Sequence, residues 1–154
     1  MKKIVTYLFA VLLVFSLVGC NQKSTDKDII TENEAKISNE LITDIGYSDK
    51  FDKVEIENAI KIVKENFSFP ASTLTKIYYD EEKSNFFIKS YLENGRGQKN
   101  KVKAEDIIVI LTNFDVDDSG DNPVLNANST YEDYNWILIR EDNKSNWEID
   151  DQGY

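Results

Sequence analysis

The chain contains no histidine and only one cysteine. Without histidine there can be no Ser-His-Asp or Cys-His catalytic arrangement and no imidazole-ligated metal site. A single cysteine excludes an internal disulfide and a thiolate zinc cage. Proline and glycine are scarce, at two and six residues, which excludes collagen-like and low-complexity classes. Positive charge is also in short supply: 18 Lys and Arg stand against 28 Asp and Glu, for a formal charge of −10. Nucleic-acid binding needs a basic footprint, so no nucleic-acid partner is expected. What is present is 154 residues, 41% hydrophobic and 30% charged, enough for one core of ordinary size and too few for two.

A single long apolar run opens the chain. Lys2 and Lys3 precede Ile4 to Val18, which is interrupted by Thr6 and Ser16. A spanning helix needs about 20 apolar residues, so this run suits a secretory signal rather than a permanent span. Leu17-Val-Gly-Cys20 resembles the lipobox of bacterial lipoproteins. That resemblance implies cleavage before Cys20 and a lipid, with palmitate among its acyl chains, on the cysteine sulfur. The expected organisation is a signal peptide over 1–19, a lipidated cysteine and polar tether over 20–50, and a globular domain over 51–154. Two or more acyl chains hold durably, so the expected location is the extracytoplasmic face of the cell membrane. Cleavage would remove Lys2 and Lys3 and leave the mature chain still more acidic.

Asn21 to Asp28 is polar and reads as a flexible tether. Thr31-Glu-Asn-Glu34 has capping-box spacing, and Ile37, Leu41, Ile42 and Ile45 follow at helical intervals. The segment fits a short helix or a partly ordered part of the stalk. Asp52 and Glu55 are spaced as a capping box, with Phe51 and Ile56 as the hydrophobic staple around it. Ile56, Ala59, Ile60, Val63 and Phe67 then mark one helical stripe, which reads as a core face. Thr73 to Tyr79 predicts a strand. Asp80 to Ser84 turns into a second helix with Phe86, Phe87, Tyr91 and Leu92 on its apolar face, stopped by Gly95-Arg-Gly97. Asp106 to Val116 predicts a strand whose first half is buried on both faces. Tyr134 to Arg140 and Trp147 to Asp150 predict a hairpin. The order implies an α+β domain with its helices on one face of a curved, mostly antiparallel sheet.

From about Phe51 to Tyr154 the chain resembles the DUF4829 type of domain, found in exported proteins and lipoproteins of low-GC Gram-positive bacteria. The resemblance rests on Glu57-Asn-Ala-Ile-Lys-Ile-Val-Lys64, Leu74-Thr-Lys-Ile-Tyr-Tyr-Asp-Glu-Glu-Lys-Ser84 and Asn128-Ser-Thr-Tyr131. Trp136-Ile-Leu-Ile-Arg140 and the ending Trp147-Glu-Ile-Asp-Asp-Gln-Gly-Tyr154 add to it. It implies an NTF2-like arrangement, two or three helices against a strongly bent sheet, and no particular activity. The chain departs from the usual pattern in its glycine-poorer Asp117 to Pro123 loop and in Gln152, where an aromatic residue or histidine is common.

Three constellations carry candidate chemistry. Asp115, Asp117, Ser119 and Asp121 place oxygens as in the first half of a calcium loop. The twelfth position is Asn126 and the entering segment is a strand, so the expectation is a weak, millimolar site at most, against the plainer reading of a solvated turn. Asp80, Glu81 and Glu82, or Asp150 and Asp151, offer carboxylates, but neighbours in an exposed turn seldom face one cleft. Tyr78, Tyr91 and Trp136, with Tyr79, Tyr134 and Trp147, are numerous enough to line an apolar pocket, against the plainer reading of an aromatic core. The sequence thus points to a membrane-anchored module, non-enzymatic and cofactor-free, that binds an envelope protein or small ligand. The alternative is a small hydrolase or isomerase using carboxylates and tyrosines in a concave pocket.

Overall fold

A computed structural model describes residues 34–154. Cys20 and the signal segment lie outside the described residues. Five strands form one sheet in the order β1-β2-β3-β4-β5. They are β1 (Lys36–Asp44), β2 (Ser72–Tyr78), β3 (Ile107–Val116), β4 (Ser129–Ile139) and β5 (Glu148–Gly153). Three helices, α1 (Lys53–Asn66), α2 (Glu81–Asn94) and the one-turn α3 (Gly97–Asn100), complete the α+β domain with a 3-10 turn at Ala104–Asp106. β1 runs parallel to β2, and the remaining three pairings are antiparallel. None of the described helices is long and apolar enough to cross a membrane.

Where a short helix or partly ordered stalk was expected, Lys36–Asp44 is a strand. Ile37 and Ile42 pair with Leu74 and Lys76 of β2, so the ordered domain starts well before Phe51. A capping-box spacing carries only local information. Here the open edge of β2 offered backbone partners on both sides of a bulge between Ile37 and Ile42, and tertiary pairing overrode the helical interval. α1 begins as its sequence predicts. Glu55 N–H donates to Asp52 Oδ1 and Asp52 N–H to Glu55 Oε2, both at 2.8 Å. Ile56, Ala59, Ile60 and Val63 are its buried residues.

The helices do not share one face of the sheet. α1 packs with Leu74, Ile77, Ile108, Ile110, Phe114, Trp136 and Leu138. Ile88 and Tyr91 of α2 pack with Tyr78, Ile107, Val109, Leu111 and Ile137 on the other side. The reason lies in β3. Ile107 to Leu111 are all fully buried, and successive side chains point to opposite faces, so each face needs its own cover. α2 also completes the sheet locally. β2 ends at Tyr78, and beyond that end the Val109 N–H donates to the buried Ser84 Oγ at 3.2 Å.

Candidate functional site

The three expected pocket residues are not brought together. Trp136 lies on the α1 side, its indole N–H donating to Thr112 Oγ1 at 3.0 Å. Tyr78 and Tyr91 lie on the α2 side but border separate clefts. Tyr78 lines one of about 410 Å³ with Lys76 and Lys83. Tyr91 lines one of about 200 Å³ with Asp151 and Tyr154. The α1 side is filled by aromatic rings: Phe69 sits 5.1 Å from Phe114, 5.3 Å from Tyr134 and 5.8 Å from Trp136.

The Tyr78 hydroxyl is fixed by charge. It donates to Asp133 Oδ1, while Lys83 Nζ donates to Asp133 Oδ2 at 2.6 Å and to the Tyr78 hydroxyl at 3.2 Å. Lys76 Nζ stands 4.1 Å over the Tyr78 ring. A bulge aims Asp133 inward. Thr112 pairs with Tyr134 and Phe114 with Tyr131, so Glu132 and Asp133 together face Asn113. Asp133 takes a left-handed φ of 56° there, and its N–H donates to Asn113 Oδ1. Burial, then the bond to Asp133, push the Tyr78 hydroxyl up to about 12. The hydrogen bond to Asp133 raises Lys83 above the usual lysine range. Burial opposes ionisation of Asp133, but Lys83 and Tyr78 outweigh it and hold the carboxyl below its ordinary value. Each group is thereby locked in its ordinary protonation state at neutral pH, the reverse of what proton transfer requires. Tyr91 behaves likewise: burial, then its 2.6 Å bond to Asp150, raises it well above the tyrosine range.

A pH dependence follows. A tyrosine whose folded value lies above its unfolded value stabilises fully below pH ~10 and loses that contribution as pH rises toward the folded value. Between pH 9 and 12, Tyr78→Phe should therefore lose less urea resistance than the parent chain. Equal losses in the two would show that Tyr78 does not titrate late.

The acidic loop is arranged around itself. Asp115 Oδ1 accepts from Thr130 Oγ1 at 2.6 Å. Asp117 Oδ1 accepts from the backbone and hydroxyl of Ser119, whose hydroxyl also accepts from the Asp121 N–H. Among the described residues no group of three or more His, Cys, Asp or Glu is placed to hold a metal ion. Asp80 caps α2 through the Lys83 N–H. Glu81 Oε2 accepts from the Asp49 N–H at 3.0 Å, which ties the loop before α1 to α2.

A family model described as a domain of unknown function, DUF4829, matches residues 31–153. The chain belongs to the DUF4829 family. Neither a curated protein nor a solved structure matches it. The DUF4829 match takes in β1, in keeping with the strand at Lys36–Asp44 and with a domain longer than the span from Phe51.

Sequence reasoning missed a largely buried charge cluster of this DUF4829 domain, centred on Arg140. Arg140 follows the last residue of β4, and its side chain is only 8% exposed. Nη1 donates to Glu55 Oε1 at 2.6 Å, Asp106 Oδ1 lies 3.5 Å from Nε, and the Trp147 ring lies 4.4 Å from the guanidinium carbon. Glu55 thus closes the α1 capping box with one oxygen and pairs with Arg140 through the other. The available signal was a lone arginine ending the apolar run Trp136-Ile-Leu-Ile. Long charged residues are seldom buried unless paired.

Proposed function

We propose that this chain is a lipoprotein held through Cys20 on the outer face of the cell membrane, where its DUF4829 domain serves as a non-enzymatic binding or accessory module. The observation that carries the non-enzymatic reading is the fixing of the tyrosines. Tyr78 and Tyr91 donate to Asp133 and Asp150, and their protons are held more tightly than in free tyrosine. A hydrolase or isomerase needs a group whose proton moves near neutral pH, and these networks hold theirs in place. The anchor rests on Lys2-Lys3, the apolar run to Val18 and the Leu17-Val-Gly-Cys20 ending at the sole cysteine. The partner would be an envelope protein or a small ligand met outside the cytoplasm.

Cys20→Ser tests the anchor. The parent chain should sediment with membranes and incorporate radiolabelled palmitate, whereas the variant should incorporate none and leave the lipid-anchored fraction. A variant that keeps both properties overturns the reading.

A further inference from the structure

One cleft of this domain is floored by an acceptor that no group of the chain fills. Asn135 of β4 is only 4% exposed, and its amide nitrogen donates to Gly153 O at 2.7 Å. Its Oδ1 accepts no hydrogen bond from the described residues. Among these residues only Arg140 Nε is both sealed from solvent and unpartnered, so the free Asn135 oxygen opens outward, into the cleft of about 200 Å³ that Asn135 lines. Gly153, opposite Asn135 on β5, brings no side chain, and nothing lies within 4 Å of where its Cβ would stand. The floor is left open.

The pairing of β4 with β5 adds negative charge beside that oxygen. Ile137 pairs with Asp151 and Leu138 with Ile149, so Asp150 is the extra residue of a bulge. Both carboxylates come to the α2 side as a result. Asp150 Oδ2 accepts from the Tyr91 hydroxyl at 2.6 Å, and Asp151 stands on the same face as Asn135, two positions along the ladder. Asp151 Oδ1 accepts only from the Gln152 N–H. Neither carboxylate forms an ion pair among the described residues. Arg96 reaches the Asp150 carbonyl oxygen but does not border the cleft, and no other Lys or Arg borders it. The walls are aromatic: Phe87 and Tyr91 of α2, and Tyr154, which packs 5.3 Å from Tyr134 and is still 70% exposed. A carboxylate, a carboxamide oxygen wanting a donor and aromatic rings together suit a positively charged N–H donor. The acidic balance of the whole chain attracts such a ligand.

We infer that this cleft takes the ammonium end of an unbranched alkylamine, its N–H groups shared between Asn135 Oδ1 and the Asp151 carboxylate and its first methylenes laid along the rings of Phe87 and Tyr91. The volume admits an ammonium group and a short stem, well below a drug-sized ligand. The inference rests on the binding-module reading, supplies a ligand class for it, and asks nothing of Cys20.

The side-chain amide of Asn135 supplies the readout. The full-length chain, labelled with nitrogen-15 in neutral detergent, is titrated with 1,5-diaminopentane at constant ionic strength. Saturable shifts are expected at the Asn135 side-chain amide and the Gly153 backbone amide. Asp151→Asn, which keeps the shape of the side chain, should raise the half-saturating concentration at least about tenfold. Asp118→Asn, the same loss of charge in the exposed loop between β3 and β4, should leave it unchanged. Two further probes separate the chemistry. 1,5-Pentanediol has the length without the charge, and tetramethylammonium has the charge without N–H donors, so both should bind at least about tenfold more weakly. No saturable shift with the diamine overturns the inference, as does binding of either further probe as tight as the diamine's. Equal weakening by the two aspartate variants also overturns it, by reducing the effect to general attraction of a cation. None of these results touches the anchored module, which Cys20→Ser tests separately.

Discussion

Phe114→Ala is expected to remove about 3–5 kcal/mol of folding stability. The ring is fully buried and joins several elements. Its centroid lies 5.4 Å from Phe67 at the end of α1, 5.1 Å from Phe69, 5.2 Å from Tyr131 and 5.6 Å from Tyr134. Alanine would leave a void whose walls are strands paired on both sides, since Phe114 lies between Leu74 of β2 and Tyr131 of β4. Such walls cannot collapse far, so both the transfer and the cavity contributions apply. A domain of this size has roughly 5–15 kcal/mol in total, so the loss should move the urea midpoint by about 1–3 M. Phe86→Ala, at a ring 69% exposed on α2, should change stability by less than ~0.5 kcal/mol. A Phe114 variant within ~1 kcal/mol of the parent would show that the aromatic cluster repacks and is not the centre of the core.

Gly46→Ala should cost nearly as much from a single methyl group. Gly46 holds a φ of +63°, and a Cβ there would lie 2.4 Å from the Tyr79 carbonyl oxygen. That oxygen belongs to backbone already pinned, because the Tyr79 N–H donates to Asp44 O at 3.0 Å. The added carbon must therefore push the end of β1 away from β2. The left-handed conformation contributes about 1 kcal/mol and the displacement more, for a total of ~2–4 kcal/mol. Gly120 provides the comparison. Its φ is also positive, at +79°, but nothing lies within 4 Å of its missing Cβ, so Gly120→Ala should cost only the ~1 kcal/mol of conformation. Urea unfolding of the two variants side by side settles the matter, and equal losses would remove the close approach as the reason for glycine at position 46.

These sites show what was legible in the sequence. α1 was readable down to its cap, because Asp52, Glu55, Phe51 and Ile56 signal through local spacing and the structure makes the same local contacts. β3 was readable as a strand buried on both faces, and that reading already required a layer on each side. Placing all helices on one face contradicted it, and Ile107 to Leu111 decided for two layers. β1 was not readable, since its hydrogen bonds go to a strand about 35 residues further on and its helical spacing was accidental. Among the site residues, the aromatic types were legible as either pocket or core, but which face each ring joined depended on the parity of its strand. That parity separated Trp136 from Tyr78 and Tyr91. The Arg140 cluster joins residues from positions 55, 106, 140 and 147, and no window along the chain contains them together.

The Ser84 hydroxyl links the outer layer to the centre of the sheet. It sits on a helix yet accepts an amide proton from mid-strand Val109, with both residues fully buried. If α2 lifted away alone, that amide would lose its acceptor in a dry environment, at a cost of about 1–3 kcal/mol beyond the apolar area uncovered. Detachment of this helix is thereby coupled to rupture of the central strand, so the second layer is built to open with the whole domain and not as a door.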